Sequence, residues 1–385
     1  MQPLIRPRDY YDPDTFRAEQ DAIFGRAWLF AGFAADLAAP NDYVTAAVGG
    51  RSVVVQNFDG ELRAYANVCS HRFARLKEGQ GNGPLRCPYH GWIYNREGLP
   101  YSIPSRPRFD GLTPAVLDSL RLRAYDVETC GALVFVRARR GGGPPLREFL
   151  GAAGDAIGAM SQGMGARIDR NEVVFRANWK VAVENTLESY HVGFVHEQTF
   201  KKLGARGMDF RFDGPHSAWK APVDASTEAQ MRKLLALYRA PWSTDGYFHQ
   251  LVFPNLTVVT LFGTSFGVQL FEPVSPTETR LTSHIFAPRA GAEVRMTPAV
   301  AEMMNQSTAE FARTVFEEDK VVCAAVQRGL PETDKPGILS DEEERVLRFH
   351  EAYARAMADA GPADAAAPAD ADGSEACAAS CGAGR

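Results

Sequence analysis

The sequence predicts an α+β fold in which a small all-β domain is inserted into a larger domain with an antiparallel sheet and a long C-terminal helix. Short β-rich runs separated by turn dipeptides fill residues 39–140, a second β-rich region covers 248–287, and a helical pattern spans 297–328. Runs rich in Val, Tyr and Phe between Gly-containing turns are typical of strands. A long apolar pattern with a period near 3.6 residues is typical of a helix.

The N-terminal part, residues 1–38, is predicted to be helical and to belong to the larger domain. An amphipathic pattern over residues 13–30 places four large apolar side chains on one side of a helix, namely Phe16, Ile23, Phe24 and Trp28.

The small domain is predicted to span residues 39–140. Its strands are the runs YVTAAV, SVVVQNF, LRAYANV and GALVFVRA. Gly49-Gly50 and Asp59-Gly60 separate the first three runs and are turn dipeptides. These short spacings favour hairpins and therefore an antiparallel sheet.

The larger domain is predicted to span residues 141–360, after a linker rich in Gly and Pro. Its elements are expected to be a helix at 146–162, a strand at 172–178, a helix through 181–192, strands within 248–287, the helix at 297–328 and a last helix at 341–359. A capping box from Ser340 to Glu343 marks the start of the last helix. Residues 361–385, which include Cys377 and Cys381, consist mainly of Ala, Gly, Pro and Asp and are predicted to be a disordered tail.

The composition argues against several classes of partner. With 385 residues, 45% of them hydrophobic and 23% charged, the chain has the composition of an ordinary globular protein. A net charge of -5 gives no reason to expect binding to nucleic acid or to an anionic membrane. Neither a signal peptide nor an apolar run of membrane-spanning length is present, so we expect a cytoplasmic protein.

Two cysteines and two histidines form the most informative motif. Cys69 and His71 stand in a C-x-H pattern, and Cys87 and His90 follow after fifteen residues in a C-x-x-H pattern. Two thiolates can hold one iron of a [2Fe–2S] cluster while two imidazoles hold the other, which defines a Rieske centre. The motif therefore predicts a protein that transfers electrons singly.

A tetrahedral zinc site and four unrelated core residues are the alternatives to a Rieske centre. Zinc fingers place their cysteines first and their histidines second, whereas each half of this motif holds one of each. Pro88 and Gly91 favour a tight turn around the second half. Trp92 and Tyr94 follow it and are expected to cover the cluster against water.

A second constellation lies in the run NWKVAVENTLESYHVGFVH. Glu184, Glu188 and His191 are spaced so that one continuous helix would place them on one face. His196 follows His191 by five residues, so a regular helix would turn the two rings apart. An end or bulge near Gly193 would bring them together. Without that change, the pattern describes a helix with surface acids and one core histidine.

Two histidines and one carboxylate form the facial triad that is typical of mononuclear non-haem iron(II) oxygenases. His191 and His196 are candidates for the imidazole ligands, and the long helix offers Glu318 and Asp319 for the carboxylate. These two acids are expected on opposite sides of the apolar stripe of the helix, and the pattern alone does not choose between them.

The chain resembles the catalytic α subunit of the Rieske non-haem iron oxygenases, a family of aromatic ring-hydroxylating dioxygenases and carnitine monooxygenase-like enzymes. Three ordered motifs between residues 10 and 350 carry the resemblance: CSH…CPYH, NWK…ENTLESYH…H and FEEDKVV…VQRGL. The resemblance implies that Cys69, His71, Cys87 and His90 hold the cluster and that His191, His196 and Asp319 bind the iron. It also implies that Glu188 bridges the cluster of one subunit to the iron of its neighbour.

The same resemblance implies the architecture and the partners. The larger domain is expected to be a helix-grip (START-like) catalytic domain, and the protein is expected to be a head-to-tail homotrimer. Electrons are expected from NAD(P)H through a separate flavin and iron–sulfur reductase, with or without a ferredoxin. Dioxygen and a small organic molecule are the expected substrates.

The function expected from the resemblance is that of a terminal oxygenase, which hydroxylates or oxidatively demethylates a small aromatic compound. Oxidation of a quaternary ammonium compound related to carnitine or betaine is the alternative, and Glu rather than Asp at position 188 favours it. The sequence shows no defined aromatic cage for such a cation. A non-catalytic Rieske electron carrier is a third hypothesis, which the length and the second motif disfavour.

Overall fold

The computed structural model describes residues 1–139, 141–203 and 208–359. The predicted disordered tail and its two cysteines lie outside the described residues. None of the helices in the described part of the chain combines the length and the apolarity that crossing a bilayer requires.

The N-terminal segment contains a short helix followed by a strand. Helix α1 spans Pro13–Glu19, one π-helical turn follows over Gln20–Phe24, and strand β1 spans Trp28–Phe33. Asp12 caps α1 by accepting a hydrogen bond from the Thr15 N–H at 2.9 Å. The prediction of one helix over 13–30 is therefore wrong after Phe24. The cause is tertiary, because β1 pairs with a strand more than a hundred residues later.

The small domain is built on one antiparallel sheet. Its elements are β2 Asp42–Val48, β3 Arg51–Phe58, β4 Glu61–Ala66, β5 Gln80–Asn82, β6 Ile93–Tyr94, β7 Pro100–Ser102, α2 Pro114–Ser119, β8 Ala124–Cys130 and β9 Leu133–Arg137. The sheet order is β1-β9-β8-β4-β3-β2-β5, and β6 pairs with β7 separately. All pairings are antiparallel. Because β1 belongs to this sheet, the sheet reaches back before the predicted boundary at residue 39.

The larger domain is built on a second antiparallel sheet. Its elements are α3 Leu146–Gly163, β10 Met164–Phe175, α4 Trp179–Asn185, α5 Val192–Val195, β11 Met208–Asp213, β12 His216–Ala221, α6 Ala225–Tyr238, β13 Tyr247–Val252, β14 Leu256–Leu261, β15 Phe266–Ser275, β16 Glu278–Pro288, α7 Pro298–Gly329 and α8 Glu344–Ala358. The sheet order is β10-β16-β15-β14-β13-β12-β11. Helices α4 and α5 connect the edge strand β10 to the strands at the opposite edge.

The predicted helix over 181–192 is interrupted. Helix α4 ends at Asn185, and the chain is not helical again until Val192. Leu187 is fully buried, and the Glu188 carboxylate accepts a hydrogen bond from the His191 N–H at 3.1 Å. Such side-chain bonds to the backbone compete with the helical ladder. The expectation that Glu184, Glu188 and His191 share one helical face is therefore wrong.

Helix α7 packs beside α4 and over the edge strand β10. Its buried positions are Val315, Phe316, Asp319, Cys323 and Gln327. Their spacing of three and four residues forms one stripe toward the protein interior. Asp319 thus lies within the stripe, so the expectation that it lies beside the stripe is wrong.

A buried ionic cluster connects the N-terminal segment to α4 and α8. The Glu19 carboxylate accepts hydrogen bonds from Lys180 Nζ at 2.5 Å, Trp179 Nε1 at 2.8 Å and the Tyr353 hydroxyl at 2.8 Å. The side chains of Glu19 and Lys180 are both 0% exposed. Burial lowers the pKa of Lys180, and the Glu19 charge counteracts this effect. Trp179 and Lys180 thus make packing and domain contacts.

We predict that Glu19→Gln lowers the free energy of unfolding by about 3–5 kcal/mol, because it leaves the Lys180 ammonium buried without its counter-charge. Urea denaturation followed by circular dichroism measures the change. The control is Glu228→Gln, which removes the exposed ion pair with Arg232 and should cost less than about 1 kcal/mol. Equal effects of the two substitutions would contradict a structural role for the buried cluster.

Candidate active site

The four residues of the first motif lie on two loops of the small domain, which we call the cluster loops (residues 69–71 and 87–90). Cys69 and Cys87 are buried, and the rings of His71 and His90 lie 4.7 Å apart. Gly91 has a φ of +73°, which the turn after Pro88 requires. The Gly91 N–H donates to the Cys87 carbonyl at 3.1 Å and closes this turn.

Trp92 and Tyr94 contact the cluster loops directly. The Trp92 ring stacks on the His71 ring at 4.8 Å and 3°. The Tyr94 hydroxyl lies 3.1 Å from Cys69 Sγ and accepts a hydrogen bond from the Ser70 N–H at 3.0 Å. Burial raises the pKa of the Cys69 thiol, while the contact with Tyr94 lowers it.

The protonation state of His71 suits ligation of a [2Fe–2S] cluster. Burial lowers the pKa of His71, and the neighbouring His90 and Arg72 lower it further. The ring is therefore neutral at pH 7, the form in which imidazole binds a metal. His71 Nδ1 is buried and has no hydrogen-bond partner among the described residues. Two buried thiols opposite two adjacent imidazoles fit the donor set of a Rieske cluster.

The structure also brings together His191, His196 and Asp319, which we call the metal triad. His191 Nε2 and His196 Nε2 are 3.1 Å apart. Asp319 Oδ1 lies 3.2 Å from His196 Nε2 and 3.8 Å from His191 Nε2. One ligand atom from each of the three residues lies within 4.8 Å of the others. Two imidazoles and one carboxylate could hold one iron and leave coordination positions open.

Two further carboxylates hold the outer nitrogens of the two rings. Glu188 contacts His191 Nδ1. Glu318 Oε2 lies 2.8 Å from His196 Nδ1 and also accepts from the Thr199 hydroxyl at 2.6 Å. A carboxylate at Nδ1 keeps the proton there and leaves the Nε2 lone pair free for a metal. Glu188 and Glu318 therefore orient the rings toward Asp319.

The electrostatics of the metal triad favour a cation. Asp319 Oδ1 is buried and receives no hydrogen bond from the described residues. Burial lowers the pKa of His196, but the carboxylates of Asp319 and Glu318 raise it by more. Acceptor atoms thus face one another with negative charge around them. A metal ion at their centre would satisfy these atoms together.

The structure distinguishes the positions that the sequence left open. Asp319 lies close to the Nε2 atoms of both histidines, whereas Glu318 contacts Nδ1 of His196 on the opposite side of that ring. The two rings meet because the helical structure is interrupted before His191 and ends again at His196, the C-cap of α5. Gly193 lies inside α5 and is not the break, so that part of the expectation is wrong.

A cavity of about 320 Å³ lies beside the metal triad, between α7 and the sheet. Aromatic and aliphatic side chains dominate its lining, among them Phe175, Phe200, Tyr247, Phe266, Phe311 and Val315. Of the described lining residues, only Glu188 and Asp319 carry a carboxylate, and none is a lysine or arginine. Mostly apolar walls with few polar groups are typical of small-molecule sites.

Several lining residues were not assigned to a site from the sequence. Trp219, Tyr247 and His249 line the cavity. Tyr247, His249 and Leu251 alternate along β13, and this spacing indicates that their side chains share one face of the strand. Which of two faces meets the cavity depends on the sheet order, which the sequence does not reveal.

Two domain families match the chain. The Rieske [2Fe-2S] domain family matches residues 27–125, and the ring hydroxylating alpha subunit (catalytic domain) family matches residues 164–359. The first match contains all four residues of the cluster loops. The second contains the metal triad.

A choline monooxygenase and an aromatic dioxygenase subunit are similar to this chain at nearly the same level of sequence identity. Choline monooxygenase from Amaranthus tricolor is 26% identical over 335 residues, with 83% of this chain and 70% of the relative covered. Toluate 1,2-dioxygenase subunit alpha from Pseudomonas putida is 27% identical over 320 residues, with 73% and 69% covered. A quaternary ammonium Rieske monooxygenase solved with L-carnitine is similar in structure, with a TM-score of 0.73, 21% identity and coverage of 92% of this chain and 95% of that one. This last likeness concerns the fold.

We predict that Asp319→Asn abolishes iron binding at the metal triad, because it removes the only charged ligand. Glu318→Gln should instead weaken iron binding roughly 10–100-fold, because it loosens His196 without removing a ligand atom. Iron titration into chelator-treated protein measures both, while the visible spectrum confirms that the cluster persists.

The control is Glu317→Gln, which affects only an exposed carboxylate paired with Lys320 and should leave iron binding unchanged. If Glu318→Gln lost the iron and Asp319→Asn retained it, the assignment of the two acids would have to be reversed.

Proposed function

We propose that this chain, which belongs to the ring-hydroxylating oxygenase α-subunit family, oxygenates a small, largely apolar aromatic compound in the cavity beside the metal triad. As a member of that family it is a terminal oxygenase component, an oxidoreductase with a Rieske [2Fe–2S] cluster and a mononuclear iron. It uses dioxygen and electrons that a reductase supplies. The single observation that carries the substrate proposal is the apolar and aromatic lining of the cavity.

Each cofactor has a proposed set of ligands. We assign the [2Fe–2S] cluster to Cys69, His71, Cys87 and His90, and the mononuclear iron to His191, His196 and Asp319. Free thiols, a neutral imidazole and a buried carboxylate oxygen without a donor support these assignments. When bound, the two groups supply single electrons and a site for dioxygen.

The remaining residues of the site orient the two histidine rings and shield one of them from water. Glu188 and Glu318 hold the outer nitrogens of the two rings and fix their direction. Phe200 packs against the His196 ring at 5.5 Å and against Phe311 of α7 at 5.4 Å. This packing limits the access of water to one side of His196. A substrate in the cavity would lie against these rings rather than against solvent.

The choice between an aromatic substrate and a quaternary ammonium compound rests on charge. A buried cation needs aromatic faces or a carboxylate near it. Phe200, Trp219 and Tyr247 form a row of rings with centroids 5.7 Å apart at each step, which keeps the quaternary ammonium alternative open. However, the only carboxylates among the described lining residues belong to or orient the metal triad. The Arg345 charge also acts on both Tyr247 and His249. A positive charge behind the rings disfavours a cationic substrate and favours a neutral or anionic aromatic one.

We also propose a homotrimer in which Glu188 bridges the cluster of one subunit to the iron of the next. Large apolar side chains next to the cluster loops and the metal triad are exposed, namely Phe73, Tyr89, Tyr190 and Phe194. Contact with a neighbouring subunit would bury them. The proposed electron donor is a flavin and iron–sulfur reductase using NAD(P)H, with or without a ferredoxin.

A cytoplasmic location remains a proposal, which the need for reduced thiols at Cys69 and Cys87 supports. Choline monooxygenase from plants, by its name, is chloroplastic.

We predict that the iron-loaded protein, given NAD(P)H and a flavin and iron–sulfur reductase, converts methylated or methoxylated aromatic compounds with matching dioxygen uptake. Ala312→Trp should abolish product formation, because Ala312 lines the cavity and the indole would fill it. Product analysis and oxygen electrode traces measure the two quantities.

The matched variant Thr314→Trp places the same side chain on the exposed face of α7 and should retain activity. Oxidation of choline or carnitine without oxidation of any aromatic compound would instead establish the quaternary ammonium alternative.

We predict that Glu188→Gln slows reoxidation of the reduced cluster by substrate and dioxygen at least 100-fold while both iron centres remain. Gln keeps the length of the side chain but loses the charge that polarises the imidazole N–H of His191. Single-turnover stopped-flow spectroscopy at the cluster absorption measures the rate. Loss of the mononuclear iron in this variant would show that Glu188 only orients His191.

Because the proposed bridge joins different subunits, mixing inactive His71→Ala and His191→Ala chains should restore part of the activity. One interface in such a mixed trimer combines an intact cluster with an intact iron site. No recovery after proven subunit exchange would contradict the head-to-tail arrangement.

A further inference from the structure

Trp219 and His249 form a pair on the wall of the cavity. They are direct partners in the antiparallel pairing of β12 and β13, and their ring centroids are 6.1 Å apart. Both side chains line the cavity, although they are only 6% and 2% exposed. Neither residue belongs to the cluster loops or to the metal triad.

Each of these two side chains carries an N–H group without an acceptor. Trp219 Nε1 and His249 Nε2 are buried and have no hydrogen-bond partner among the described residues. Arg345 Nη2 lies 3.2 Å from His249 Nδ1. Since a guanidinium can only donate, Nδ1 must accept and the proton of the neutral ring must be on Nε2. Two neighbouring residues of the cavity wall therefore each hold a buried N–H donor that lacks an acceptor among the described residues, which is unfavourable for the empty cavity.

Arg345 adds an uncompensated charge behind this pair. Its side chain on α8 is 0% exposed and donates to the Ser217 hydroxyl at 3.1 Å, to the Ser217 carbonyl at 3.2 Å and to the Leu187 carbonyl at 3.5 Å. No carboxylate of the described residues pairs with it. Burial lowers the pKa of Arg345 to about 9, so it remains a cation at pH 7. A buried charge without a counter-charge is rare and is expected to meet one in a functional complex.

We propose that Trp219 and His249 form an anion subsite that binds a carboxylate group of the substrate, with Arg345 supplying the positive charge behind His249. This inference rests on the proposed function and adds the substrate class, namely aromatic carboxylates. Two N–H donors match the two oxygens of a carboxylate. The substrate would become the counter-charge that Arg345 lacks.

The subsite also orients the substrate. The row of rings from Trp219 through Tyr247 and Phe200 leads to His196 of the metal triad. With its carboxylate at Trp219 and His249, an aromatic acid would lie along this row. Its end remote from the carboxylate would then face the metal triad, and oxidation is expected there.

Matched pairs of ligands test the subsite by calorimetric binding to the iron-loaded protein. The first pair is 4-methylbenzoate and 4-nitrotoluene, which share one shape but differ in charge. The second pair is L-carnitine and choline, of which only carnitine carries a carboxylate. We expect 4-methylbenzoate to bind at least 10-fold more tightly than 4-nitrotoluene.

Variants of the two donors separate hydrogen bonding from shape. Trp219→Phe keeps a ring but removes the N–H, and His249→Leu removes the second donor. Each should weaken 4-methylbenzoate binding roughly 10-fold or more, as expected for a hydrogen bond to a charged group, and change 4-nitrotoluene binding less than about threefold. His249→Gln keeps an acceptor for Arg345 and an N–H donor and should retain most of the affinity. Trp242→Phe, the same change at an indole outside the cavity lining, should have no effect.

The outcomes separate this inference from the proposed function. Equal affinity of the wild type for both members of each pair, or parallel weakening of charged and neutral ligands, would overturn the anion subsite. Turnover of neutral aromatic compounds together with that result would leave the proposed function intact. If carnitine alone bound more tightly than its partner and lost affinity in Trp219→Phe, the subsite would stand and the aromatic substrate would be wrong.

Discussion

The convergence of two imidazole nitrogens on one carboxylate oxygen is the constraint on which the rest of the catalytic domain depends. His191 and His196 come from a short segment with little regular structure, and Asp319 comes from a helix more than a hundred residues later. A segment with so little regular structure cannot hold two rings in one direction by itself. Glu188 and Glu318 supply that direction at the outer nitrogens, and α7 carries both Glu318 and Asp319. A shift of α7 against the sheet would therefore move Glu318 and Asp319 together relative to the two histidine rings.

The same helix serves as one wall of the cavity, so the position of the metal triad and the shape of the cavity are coupled. Val315 and Phe311 line the cavity about one turn and about two turns, respectively, before Asp319 on the same helix. The buried cluster of Glu19, Trp179, Lys180 and Tyr353 holds α4, the N-terminal segment and α8 together. Helix α4 packs against α7, and α8 carries Arg345 to the other side of the cavity. Polar contacts outside the cavity thus help to position the helices around it.

Much of this arrangement was readable from the sequence, and the misses have physical causes. Strands with alternating apolar residues and the long helix were predicted because local pattern decides them. The strand β1 was missed because its pairing partner is remote, and the break after Asn185 was missed because a side-chain bond from Glu188 to the backbone replaces a helical one. Which of Glu318 and Asp319 belongs to the metal triad depends on how α7 is rotated about its axis, which the sequence does not reveal. The sequence offers one signal for Arg345, which shares an apolar face of α8 with Phe349 and Ala352. Its hydrogen-bond partners are Ser217 on β12, His249 on β13 and Leu187 after α4, which only the tertiary fold brings together.

The contact between the Tyr94 hydroxyl and Cys69 Sγ has a consequence for the energetics of electron flow. Burial raises the pKa of Tyr94 and keeps the phenol protonated, so it can donate to the sulfur. With Cys69 as a cluster ligand, such a donor stabilises the more negative reduced state and makes the reduction potential more positive. A more positive potential increases the driving force for uptake of an electron from the reductase and decreases the driving force for its onward transfer. With such a hydrogen bond, one hydroxyl in the small domain would shift driving force from the second electron-transfer step to the first.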